Sequence, residues 1–140
     1  MEPRVTIIGL GVKDLKSATE FYSETLGWKT TEASNENITF IQLNGILLSL
    51  YTREKLAEDA GVSHEGSGFR GFTLAYNCRT KEEVNEVFAT LKKKKVTIVK
   101  EPEEVFWGGY SGYFSDPDDN LWEVAYNPYL ELDNKGNTLP

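Results

Sequence analysis

Phe106–Pro128 reads FWGGYSGYFSDPDDNLWEVAYNP, two short strands folded about a tight polar turn. Aromatic residues flank the turn on both sides, and one carboxylate, Glu123, stands inside the second strand. An unpaired carboxylate is expensive to bury, so a glutamate there faces water, pairs with a cation or binds a metal. The turn itself, Asp116-Pro117-Asp118-Asp119-Asn120, sets Pro and Asp where a hairpin wants them. It is not a calcium loop, because the EF-hand glycine and twelfth-position glutamate are missing and Pro117 interrupts it.

Upstream of this hairpin, Gly71–Cys78 reads as a strand, and Thr80 with Glu83 forms a capping box. A helix follows with Val84, Val87, Phe88 and Leu91 on its apolar face. Three strands are then expected, at Thr97–Glu101, Tyr110–Ser115 and Leu121–Tyr126. The run Lys92–Lys95 ends the helix and complements its dipole.

The first half repeats that order. Residues 4–12, RVTIIGLGV, read as a strand, and Asp14 caps a helix through about Leu26 that buries Leu15, Ala18, Phe21, Tyr22 and Thr25. Gly27 ends the helix, and strands follow at Trp28–Ala33, Ile38–Leu43 and Ile46–Tyr51, parted by SNEN and NG turns. Laying Val12-Lys13-Asp14 over Cys78-Arg79-Thr80 aligns the two strand-to-helix junctions at an offset of 66 residues.

The expected fold is therefore α+β: two tandem βαβββ modules, about 4–51 and 70–128, building a cupped mixed sheet with helices outside. Residues 1–128 form a single domain on this reading, and 129–140 a tail with Tyr129, Leu130 and Leu132 as candidate anchors. Between the modules, 52–69 holds a short helix (REKLAEDAG) and a Gly/Ser loop carrying His64, the only histidine.

Composition narrows the function. A chain of 140 residues, 39% hydrophobic and 26% charged, folds as an ordinary globular domain. Its net charge of −7 argues against nucleic acid, whose phosphates demand Lys and Arg. No apolar run reaches membrane-span length, MEPRVT is no signal peptide, and a single cysteine, Cys78, forms no internal disulfide. The expected location is cytoplasmic.

LGVKDLKSATEFYSETLGW in the first half and GYSGYFSDPDDNLWEVAYNP in the second resemble the vicinal-oxygen-chelate superfamily of glyoxalase, bleomycin-resistance and extradiol-dioxygenase proteins. The resemblance covers about residues 4–128 and implies paired βαβββ modules, a small-molecule site in a cupped sheet and, frequently, a homodimer. Metal-dependent relatives carry a histidine on the first strand of each module and a carboxylate or glutamine on the last. The matching positions here are Ile7, Thr73, Leu48 (or Ser49) and Glu123, and only Glu123 is a ligand type. No metal and no cofactor are expected.

Other chemistries lack their parts. Triad-type catalysis needs a base beside a nucleophile, and His64 reads as a solvated loop residue. WGGYSG matches neither a phosphate loop nor a nucleophile elbow, and Gly108, Gly109 and Gly112 are there for backbone reasons. Cys78 reads as a small buried residue.

What remains is a pocket. Alternation turns Leu121, Glu123 and Ala125 to the cupped side and Trp122 and Val124 to the helices. Glu123 there anchors a ligand or serves as a base, or else is satisfied by a tyrosine hydroxyl, by Arg70 or by water. Trp107, Tyr110, Tyr51, Tyr76 and Phe106 are the candidate aromatic contacts. The leading expectation is metal-independent binding of a small apolar or aromatic molecule by a cytoplasmic homodimer. The alternative is a lyase, isomerase or dioxygenase-like enzyme using Glu123 as general base or as ligand of an atypical metal site.

Overall fold

Asp14 accepts a hydrogen bond from Ser17 N at 2.6 Å and so starts α1 (Leu15–Glu20) directly after β1 (Ile7–Val12). In this computed structural model, which describes residues 1, 3 and 5–138, two units separate at the glycine-rich loop, Met1–Gly68 and Phe69–Pro140. Arg4, where the first strand was expected to begin, and the last two residues of the tail lie outside the described residues. Among those described, no helix is long and apolar enough to cross a membrane.

In the first unit α1 widens into a π-helical turn over Phe21–Thr25. β2 (Ile38–Gln42) and β3 (Leu47–Thr52) form a hairpin, and α2 (Arg53–Ala60) follows. β3 is central, parallel to β1 and antiparallel to β2. One sheet face carries Leu10, Val12, Ile41, Leu48 and Leu50, all buried against the helix residues Ala18, Phe21 and Tyr22. The Thr19 and Thr39 hydroxyls meet on that side at 2.8 Å. Parity turns Gly9, Gly11, Phe40, Ser49 and Tyr51 to the opposite face, helix-free but for the start of α2, whose Arg53 lies over Gly11.

One expected strand is not formed. Trp28–Ala33 touches the sheet through a single bridge, Thr30 to Ile41. Ser34 limits the pairing, because its hydroxyl accepts from Phe40 N at 2.9 Å, a donor a ladder would use, while the Phe40 carbonyl still takes Thr31 N at 2.8 Å. Trp28 turns its ring onto Tyr22 at 5.8 Å.

The second unit opens with the capping box. Thr80 Oγ1 accepts from Glu83 N at 3.1 Å, while the Glu83 carboxylate reaches one residue further back, to Arg79 N at 2.6 Å. α3 (Lys81–Lys93) packs Val84, Phe88 and Leu91 onto a sheet ordered β4-β7-β6-β5. Its strands are β4 (Leu74–Cys78), β5 (Thr97–Glu104), β6 (Tyr110–Ser115) and β7 (Leu121–Tyr126). β4 runs parallel to β7, and the other pairs are antiparallel. Phe114 and Trp122 stack on the helix side, with ring centroids 6.1 Å apart. Gly112 lies under Phe88, and a Cβ there would stand 2.7 Å from both Phe88 Cζ and the Lys100 carbonyl. The helix approaches this closely only because residue 112 has no side chain.

The tail belongs to this second unit. Leu132 bridges to Thr138, and Arg79 Nη2 donates to the Asp133 carbonyl at 2.9 Å.

The two registers superpose on paper. Gly9 pairs with Ser49, which faces Phe40, and Ala75 pairs with Glu123, which faces Tyr113. Gly9 and Ala75 are 66 residues apart, the offset expected from the helix junctions.

Candidate functional site

Glu123 stands at the middle of β7, half-buried, between fully packed Trp122 and Val124 that point to α3. Its cross-strand neighbour on β6 is Tyr113. Burial, then the Glu123 carboxylate beside it, pushes the Tyr113 phenol above its usual range. Beyond Tyr113 on β5 lies Lys100, whose Nζ is 2.8 Å from Glu103 Oε1. That bond, and more weakly the Glu103, Tyr113 and Glu123 charges, hold the ammonium more basic than usual. Glu123, Tyr113, Lys100 and Glu103 thus form one charged row on the helix-free face, with small Ala75, Ser111 and Ala125 around it.

Tyr113 is the residue sequence reasoning passed over. Its pairing with Glu123 follows only from the register across the turn. Arg70, the alternative partner for Glu123, instead clasps that turn, donating at 2.9 Å to the Asp118 carbonyl and to Asn120 Oδ1. Asp116 organises the same turn by accepting from Asp118 N, Asn120 N and Asn120 Nδ2 at 2.8–2.9 Å.

The expected aromatic contacts scatter. Tyr110 sits on the helix side, where its hydroxyl donates to Asn85 Oδ1 of α3 at 2.9 Å. Tyr76 pairs with Val124 and so shares that side, away from Glu123. Trp107 folds over Gly109 in the β5–β6 turn, before β6 begins and six residues before Tyr113. Phe106, in the same turn, is fully exposed. Tyr51 lies on the helix-free face of the first unit, paired with Gly11. An open cleft of about 480 Å³ in the second unit lies under the tail, lined by Cys78, Arg79, Tyr126, Tyr129 and Glu131 among others, and includes none of the expected ligand residues. Burial raises the Cys78 thiol to about 11, so it is no nucleophile at neutral pH.

The positions that carry metal ligands in related folds do not fit a metal here. Parity leaves Ile7 and Gly9 on the helix-free face of β1, and Ser49 rather than fully buried Leu48 on that of β3. Beside Glu123, β4 offers Ala75, and Thr73 precedes the strand. One carboxylate among aliphatic, glycyl and hydroxyl groups is not a donor set for zinc, nickel or iron. Among the described residues no three His, Cys, Asp or Glu side chains group as metal ligands.

Two βαβββ-type modules, each with a helix on one sheet face and its last strand parallel to its first, define the vicinal-oxygen-chelate architecture. The chain belongs to the Glyoxalase/Bleomycin resistance protein/Dioxygenase superfamily, whose family model matches residues 4–124. It is 32% identical over 122 residues to the uncharacterized protein YraH of Bacillus subtilis (strain 168), covering 84% of this chain and 93% of that protein. It superposes on a glyoxalase-related enzyme from Fulvimarina pelagi with a TM-score of 0.88 at 32% identity, over 99% of each chain. A lactoylglutathione lyase from Agrobacterium tumefaciens shares the fold at TM-score 0.71 and 19% identity, over 90% of this chain and 95% of that one.

Proposed function

We propose that this protein binds a small organic molecule on the helix-free faces of its sheets without a divalent metal, as a cytoplasmic homodimer. The observation that carries the reading is the Glu123–Tyr113 pair. It puts a carboxylate and a phenol, both half-buried, side by side on a face that no helix of the unit covers. Such a pair offers an acceptor and a donor to a ligand hydroxyl or amine. Tyr51 supplies an aromatic surface in the first module, and Trp107 one at the rim of the second.

A thermal-shift panel of small aromatic and apolar compounds tests this, since a ligand at a hundredfold above its Kd stabilises the fold by about 2.7 kcal/mol. Binding should weaken in Glu123→Gln and Tyr113→Phe and should survive dialysis against EDTA. Affinity that is lost with EDTA and restored by a transition metal would overturn metal independence. The second reading is a lyase or isomerase with Glu123 as base, and the cross-strand Tyr113 phenol is what favours it, because it sets a proton-bearing group beside the carboxylate. Turnover that vanishes in Glu123→Gln while binding persists would establish it.

A further inference from the structure

The helix-free face of the first unit has a different character from that of the second. Its strands present Gly9, Gly11, Phe40, Ser49 and Tyr51, none of them charged. Gly9 and Gly11 leave a bare strip of backbone. Ser49 Oγ lies at one end, 3.4 Å from where a Gly9 Cβ would stand. Ser49 is only 7% exposed. At the other end Arg53 crosses Gly11, its Cα, Cβ and Cγ 3.1–3.4 Å from the Cβ position there.

Arg53 is held in an unusual way. Nε donates to the His64 carbonyl at 2.6 Å and Nη2 to the Gly66 carbonyl at 3.3 Å, so the side edge of the guanidinium is spent on the loop. No carboxylate pairs with it among the described residues, and Glu65 is engaged by His64 Nε2 at 3.3 Å. The end edge, Nη1 with the second Nη2 hydrogen, keeps the parallel donors that suit a carboxylate.

We infer that this face of the first unit binds a small organic acid: Arg53 takes its carboxylate through the end edge of the guanidinium, and Ser49 hydrogen-bonds a second polar atom of the same molecule. A phosphate monoester, with its second charge, would want more than one cation. The inference rests on the proposal that the helix-free faces hold the ligand, and it names the ligand's class.

The test is a calorimetric panel of small carboxylic acids, each matched with its own primary amide, run on the full chain. Carboxylates should bind and their amides should not. Arg53→Met should weaken the carboxylates by about tenfold or more, Arg53→Lys should recover only part of the loss, and Ser49→Ala should cost about threefold. Ser49 touches no loop contact, so its variant keeps the test decisive if Arg53→Met unfolds the loop. Amides bound as well as acids, or acids bound unchanged by both variants, would overturn the carboxylate assignment and leave small-molecule binding standing. Failure of every acid and every amide, together with silence in the wider aromatic panel, would overturn both.

Discussion

In the first module the middle of the helix-free face reads Gly9–Ser49–Phe40, and in the second the same register positions read Ala75–Glu123–Tyr113. Backbone pairing is the same in both, parallel from the first strand and antiparallel from the hairpin. The chemistry differs at every position. One face is neutral with a guanidinium at its end, and the other carries a row of two carboxylates, a phenol and an ammonium. Duplication supplies a shared frame, and substitution within the frame gives the halves opposite electrostatic tasks.

The helix sides differ too, and there the comparison can be broken. Thr39 in the first module stands where Gly112 stands in the second. Thr39 has room for a side chain and a partner in Thr19, whereas Gly112 has Phe88 pressed onto it. Gly112→Ala should therefore destabilise by about 3 kcal/mol, since the obstructing atoms include the Lys100 carbonyl and Pro102 N of the backbone. Urea unfolding measures it. A loss below about 0.5 kcal/mol, the range of an ordinary surface substitution, would mean that α3 can lift and that the two helices are seated alike.

The hairpin turns are the next contrast. Asn44–Gly45 closes the first module's hairpin with φ 75° at Gly45, while the second module uses the Asp116-centred turn, in which Asp116, Asp118 and Asn120 are all buried. Asp116→Ala strands two main-chain N–H groups and an amide, so about 2–3 kcal/mol should be lost. Gly45→Ala, which forces a Cβ into the left-handed region in open space, should cost about 1 kcal/mol. Equal losses would say that the buried turn is no better built than the exposed one.

How much of this was legible in the sequence follows from the range over which each feature is determined. Local chemistry read true: Asp14 and Thr80 cap their helices, and β6 and β7 fall at Tyr110–Ser115 and Leu121–Tyr126 as their alternation and the DPDDN turn imply. Trp28–Ala33 reads as a strand because its composition is strand-like, but the hydroxyl of the next residue, Ser34, takes the Phe40 N–H. The candidate site was legible only to first order. Alternation along β7 put Glu123 opposite Trp122 correctly, yet which aromatic meets it depends on pairing across strands. Tyr113, Tyr76 and Tyr110 are alike in composition, and only register sends the first to Glu123 and the other two to the helix side. Arg53 was invisible for the same reason. Its partners are loop carbonyls, which leave no mark in side-chain pattern.

The smallest expected effect sharpens the contrast most directly, because it reads the Glu123–Tyr113 pair itself. The Tyr113 phenol is raised above 10.0 in the folded protein, first by burial and then by the Glu123 carboxylate beside it, with Lys100 opposing. A raised acid keeps its proton longer when folded than when unfolded, so the pair's contribution is whole below about pH 10 and is lost as pH climbs through the folded value. Glu123→Gln removes the charge and leaves the burial, so the midpoint of Tyr113 should fall back towards 10.0 while remaining raised. Phenolate absorbance, taken as the difference from Tyr113→Phe, follows this one tyrosine among seven. A midpoint identical in the two backgrounds would mean that the carboxylate and the phenol do not interact in solution. The second module's face would keep its charges, but the carboxylate and the phenol would act on a ligand separately rather than as a pair.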